Sequence, residues 1–160
     1  MTDAFDLDRF LRAQDASGTY EQALAELRAG LKRGHWMWFV LPQVAGLGRS
    51  STAQRYAVSG VPEARAYLAH PVLGPRLAEC ARALDELAET DPRQVLGGID
   101  AVKLRSSMTL FERAAGDDLE TAELFGRVLD HYFDGRRDDA TLGILGGSER
   151  RIPDDGSGRP

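Results

Sequence analysis

The sequence predicts an all-α domain, and three observations carry the prediction. Apolar residues recur at spacings of three and four, most clearly at Leu73, Leu77, Cys80, Leu84 and Leu87, which is the period of a helix buried along one face. No run long enough for a strand alternates apolar and polar residues with period two. Helix punctuation also recurs along the chain, with Pro62, Asp91-Pro92 and Gly97-Gly98 standing where starts or stops are needed. These signals give roughly seven to nine helices in a single domain over residues 1–146. The tail 147–160 is rich in glycine, proline and charge, and is expected to be flexible.

Taken in order, Phe5 to Ala13 reads as a short helix with Leu7, Phe10 and Leu11 on one face, ended by the polar break Gln14 to Gly18. Thr19 followed by Gln22 has capping-box spacing, and the helix it opens carries Tyr20, Leu24, Leu27 and Leu31, with Gly34 as its stop. Gly34 to Gln43 is a dense aromatic anchor that ends at Pro42, a helix breaker. The glycine loop Ala45 to Ser51 follows, and Ser51 with Gln54 repeats the cap pattern before a helix to about Ser59. Helices over Val61–Ala69, from Leu73 past Leu84, and from Pro92 to Gly97 come next. Asp100 is placed as the cap of a helix with the stripe Leu104, Met108, Phe111 and Ala115. Leu119 to Phe133 and Asp138 to Leu145 complete the domain.

Composition narrows function by exclusion. A chain of 160 residues with 42% hydrophobic and 28% charged side chains can bury a sizeable core and is not disordered. Its net charge of −5 argues against general nucleic-acid binding, which shows as a basic excess. The longest apolar run, Trp36 to Leu41, is too short to span a bilayer, and the N-terminus lacks signal-peptide character. The single cysteine, Cys80, sits on an apolar seam and forms no internal disulfide, which points to a cytoplasmic protein; a monomer without membrane attachment is expected. No His-Glu-x-x-His or Cys-x-x-Cys spacing occurs, so no metal site and no cofactor are implied.

Three segments carry polar groups that a core does not need. The aromatic anchor holds His35, Trp36, Trp38 and Gln43; imidazole titrates near neutrality and suits a general base, while indoles stack rings. Against this stands the plainer reading of a hydrogen-bonded core histidine. The loop with Gly48, Arg49 and Ser50 enters a helix, where free N–H groups and a guanidinium favour an anion; the alternative is an ordinary capped connector. Lys103 and Ser107 lie four apart on one helix face, with Ser106 and Thr109 beside them. They suit a phosphate or carboxylate, or Lys103 simply pairs with Asp100.

The segments His35–Gln43, Gly46–Ser50, Tyr67–Gly74 and Lys103–Phe111 together resemble a bacterial family of small uncharacterised proteins known as DUF1810, or Rv1873-like. The resemblance runs from about Asp6 to Leu145 and implies an all-α, multi-helix fold without supplying an activity. Two functions are therefore carried forward. One is an anionic small-molecule site, for a nucleotide or ADP-ribose-like metabolite, built from His35, Trp36, Trp38, Gln43, Gly48, Arg49, Ser50, Lys103, Ser106 and Ser107, with His35 as base if there is catalysis. The other is a non-catalytic helical module that binds another macromolecule. Convergence of His35, Arg49 and Lys103 in one cleft discriminates between them.

Overall fold

A computed structural model describes residues 3–151, with side chains through Gly146. In chain order the helices are α1 (Asp8–Asp15), α2 (Thr19–Ala29), α3 (Met37–Val40), α4 (Ser51–Arg55) and α5 (Val61–Ala69). They continue as α6 (Leu73–Asp85), α7 (Pro92–Leu96), α8 (Gly98–Ala115), α9 (Leu119–Phe133) and α10 (Asp139–Arg151). Helix α3 is a single turn, so nine run longer than one turn among the described residues. No strand occurs there; a lone parallel bridge joins Val44 and Val58. Helix α10 runs past the Leu145 end predicted for it and takes in residues 147–151 of the tail expected to be flexible, while residues 152–160 lie outside the described residues.

Helix α8 is the axis of the fold, packed by α5, α7, α9 and α10. It is buried almost all round: Ala101, Leu104, Met108, Leu110, Phe111 and Ala114 are joined inside by Ser106, Ser107 and Thr109. A run of rings fastens it to its neighbours. Phe10 of α1 meets Tyr67 of α5 edge-on at 5.2 Å, Tyr67 meets Phe111 at 5.2 Å, and Phe111 meets Phe125 of α9 at 6.1 Å. Ring pairs at these separations add stabilisation beyond their buried area. Helices α5 and α6 cross so closely that a Cβ on Gly74 would stand 2.1 Å from the carbonyl oxygen of Leu68. Between them His70 accepts N–H bonds from Val72 and Leu73 at 3.0 and 3.1 Å, capping α6 through its side chain.

Several expected boundaries shift, each for a physical reason. Gln14 is no break: it is 1% exposed, donates to the Phe39 carbonyl at 2.8 Å, and accepts from Arg76 at 3.1 Å. Thr19 forms no capping box; its hydroxyl donates back to Ala16, and the left-handed Gly18 stands at the cap. Helix α2 stops at Gly30 (φ 79), where Leu31 N–H closes onto Glu26 O at 3.0 Å, so Leu31 is exposed and Gly34 has a different job. Ser50, not Ser51, caps α4, accepting from Ala53 N–H at 3.0 Å, and α4 ends at Arg55. Asp100 lies inside the first turn of α8 rather than capping it. Helices α5 and α9 and the Asp91-capped α7 have the predicted bounds.

Candidate functional site

The site begins with how α2 releases the chain. After Gly30, Lys32 N–H donates to Val95 O at 2.8 Å, tying the segment to α7. Glu26 then reaches forward: one oxygen accepts from Arg33 N–H at 2.8 Å, Gly34 N–H at 2.9 Å and the Trp36 indole at 2.9 Å. Gly34 is needed here because a Cβ would lie 2.9 Å from the Trp36 ring. Burial opposes the Glu26 charge, but the donors from Gly34, Arg33, Gln22 and Trp36 outweigh it and hold the carboxyl down at about 2.

Pinned in this way, the segment points Lys32 at the start of α8. Its side chain is 9% exposed, its Nζ lies 2.9 Å from Asp100 Oδ2 and 5.0 Å from the Trp36 ring centre, and it donates to Gly34 O. Lys103, one turn into α8, reaches the other oxygen of Asp100 at 3.5 Å and lies 4.6 Å from the Trp38 ring centre. One carboxylate thus serves two ammonium groups. They wall a cleft of about 470 Å³ with His35, Trp38, Leu96 and Gly98. Helix α8 has no side-chain cap, since Gly97 (φ 86) precedes it. Its first N–H groups therefore lack intrahelical acceptors and add positive potential.

Gly98 is informative because the fold does not require it. Its φ is outside the left-handed region, and a Cβ there would meet nothing within 4 Å. It lines both this cleft and a smaller one of about 270 Å³ bordered by Arg93, Val102, Arg105 and Phe133. Two lysines, an uncapped helix start and an indole, offset by a single carboxylate, form an arrangement that attracts an anion.

The ten residues expected at a site are distributed unequally. His35, Trp38 and Lys103 share the cleft. His35 is exposed, and among the described residues nothing hydrogen-bonds its ring, so no group orients it as a base. Trp36 is corrected to the core, at 1% exposure with its indole N–H on Glu26. Ser107 is corrected likewise: it is fully buried, because the face it was given with Lys103 is covered. Ser106 donates to the buried Asp138 carboxylate at 3.0 Å, where Thr141 also donates, so its hydroxyl serves the start of α10. Gln43 and Gly48 meet Trp38 across a gap of only about 10 Å³, and Gly48 is explained by packing, since a Cβ would lie 2.6 Å from that of Ala53. Ser50 caps α4, and Arg49 lines none of these clefts.

Lys32, Asp100 and Gly98 were not singled out as ligand groups in the sequence. Lys32 reads locally as a helix-end lysine, and its meeting with Asp100 is long-range and leaves no spacing signature. Another cleft, of about 720 Å³, lies at the other end of α8, floored by Leu68, Ala78, Ala114 and Phe125. Two of its charged groups already serve the fold: Arg65 donates to Ala114 O at 3.3 Å, and Asp118 caps α9 through Thr121. Burial pushes the Cys80 thiol up to about 12, which leaves it unreactive. Among the described residues there is no group of three or more metal-ligating side chains, and no helix is long and apolar enough to cross a membrane.

The family profile described as "Protein of unknown function (DUF1810)" matches residues 4–145. The crystal structure of the conserved hypothetical protein Rv1873 from Mycobacterium tuberculosis is similar over 90% of this chain and 99% of its own, at 45% identity and a TM-score of 0.84. Among curated proteins none matches the chain.

Proposed function

The chain belongs to the DUF1810 family, and from that premise we propose that it binds a small anionic metabolite, of nucleotide or ADP-ribose-like class, in the cleft between the Lys32–Trp38 segment and the start of α8. One observation carries the reading: Lys32 and Lys103 converge on the single carboxylate of Asp100 beside an uncapped helix start. A phosphate entering there gains charge-assisted hydrogen bonds from Lys103 and the first N–H groups of α8. Trp38, Leu96 and Met37 supply apolar wall, as small-molecule sites usually have. The reading is one of binding: His35 stands at the rim without an orienting partner, and no catalytic step is assigned to it. Arg49, Ser50, Ser106 and Ser107 play no part in it.

The test is thermal protection by phosphate-bearing ligands. A ligand that binds only the folded state stabilises by RT ln(1 + [L]/Kd), about 2.7 kcal/mol at a hundredfold excess over Kd. Lys103→Ala is expected to abolish the protection and His35→Ala to weaken it, while Arg49→Ala leaves it unchanged. If inorganic phosphate, sugar phosphates, nucleotides and ADP-ribose all fail to shift the melt, the reading is wrong. Loss of protection in Arg49→Ala would move the site to the glycine loop.

A further inference from the structure

We propose that the cleft takes a ligand of two parts, a planar aromatic ring and an anionic group, and admits it by exchanging Lys103 from the face of Trp38 to the ligand's anion. The proposal rests on the reading of this cleft as an anion site.

The two lysines are not equivalent. The side chain of Lys32 is 9% exposed, and its ammonium is held by Asp100 at 2.9 Å and by the Gly34 carbonyl, with the Trp36 ring centre 5.0 Å away. Two of its three donors are thus spent on polar partners within the fold, which fixes Lys32 in place. Lys103 is more exposed, at 21%, and its distance of 3.5 Å to Asp100 is longer than a strong charged hydrogen bond. Its other contact is the Trp38 ring, 4.6 Å away. Lys103 is therefore the movable cation. When it leaves, Lys32 still neutralises Asp100, so the exchange strands no buried charge.

The move also bares one particular surface. Trp38 shares with Gln43, Gly48, Ala53 and Tyr56 a gap of about 10 Å³, too small for a ligand. The side that faces Lys103 belongs to the cleft of about 470 Å³. The indole is thus packed against its neighbours at the small gap, and its ring is covered on the cleft side by a single ammonium. A ring stacked there replaces the cation–π contact with an offset aromatic one, while the released ammonium moves to the anion. Each half of the ligand compensates for what the other disturbs. A nucleoside alone must displace Lys103 without giving it a partner, and a sugar phosphate alone leaves Trp38 bare. Binding of the two halves is consequently cooperative.

The probes are the 5′-monophosphates of adenosine, guanosine, cytidine, uridine and nicotinamide riboside, with adenosine and ribose 5-phosphate as the halves. Calorimetry gives affinities, and tryptophan emission reports Trp38, since Trp36 is sealed in the core. The expected result is at least one monophosphate binding about tenfold or more tightly than either half, a coupling of ordinary size. That ligand should quench emission, ribose 5-phosphate should not, and Trp38→Leu should lower its affinity to that of ribose 5-phosphate. Lys103→Met should weaken the monophosphate while leaving adenosine equal or tighter, because the ring face is already open; circular dichroism checks that both variants are folded. If ribose 5-phosphate binds as tightly as every monophosphate, or Trp38→Leu changes nothing, the exchange is overturned and the anion site stands. If no phosphate-bearing probe binds, both are overturned.

Discussion

Trp36 donates its indole N–H to Oε1 of Glu26 at 2.9 Å, and the same oxygen accepts the backbone N–H groups of Arg33 and Gly34. One carboxylate therefore fixes the segment that delivers Lys32 and Trp38 to the cleft. Its acid dependence has a definite sign. The folded carboxyl is held down at about 2 against an ordinary value of 4.5, so its contribution is fully present above about 4.5 and fades as pH falls towards 2. Glu26→Gln is expected to cost about 1–2 kcal/mol at neutral pH, allowing for partial exposure, and to flatten the decline of stability between pH 5 and pH 3. Urea melts across that range decide the matter; an unchanged acid limb in Glu26→Gln sinks the account.

A second prediction concerns the crossing of α5 and α6. A Cβ on Gly74 would stand 2.1 Å from backbone oxygen, which cannot be relieved by turning a side chain. Gly74→Ala should cost about 1–3 kcal/mol or more through forced separation of the helices. Leu77 and Leu84, at 1% and 0% exposure, lie on the same helix. Their alanine variants should cost about 2–5 kcal/mol each through lost burial and the cavity left behind. Denaturant melts check all three, and a Gly74→Ala midpoint equal to the parent's would refute the close-crossing argument.

The limits of the sequence show in the same elements. Helices α5, α7 and α9 were legible end to end because their starts and stops are local: Pro62 in a first turn, and Asp91 and Asp118 accepting N–H groups two or three residues on. The stripe Leu104, Met108 and Phe111 was legible too, but a stripe implies an opposite polar face. Helix α8 has none along its middle, since four helices enclose it, and so Ser106 and Ser107 were misread. The capping box at Thr19 failed because Gly18 already provides the turn. Of the cleft lining, His35, Trp38 and Lys103 were among the candidates named from the sequence. The pairing of Lys32 with Asp100 depends on the segment after α2 meeting the start of α8 in space, and residue spacing carries no trace of it.

Gly98 gives a test that separates folding from binding. Glycine at a helical position compatible with alanine is normally a cost, and Gly→Ala there stabilises by roughly 0.4–1 kcal/mol. Since a Cβ at Gly98 meets no protein atom within 4 Å, Gly98→Ala should melt at or above the parent temperature. The new methyl would stand at a position that lines both clefts, at the start of α8. Thermal protection by phosphate-bearing ligands should therefore fall, even though the fold is no weaker. Undiminished protection would mean that the anion does not approach the helix start.

Ser107 supplies the last prediction, and it runs opposite to the usual effect of a core substitution. Its side chain is fully buried in α8, and its hydroxyl oxygen has no hydrogen-bond partner among the described residues. A buried hydroxyl without a partner carries a desolvation cost of about 1–3 kcal/mol on the scale of protein substitutions. Ser107→Ala removes that cost and only one small atom, so the cavity penalty is slight and alanine is the better helix former. A gain of about 1 kcal/mol is expected in urea melts, with ligand protection unchanged because Ser107 does not line the cleft. A loss of stability would show that the hydroxyl does make a bond in solution. Loss of protection without loss of stability would return Ser107 to the site.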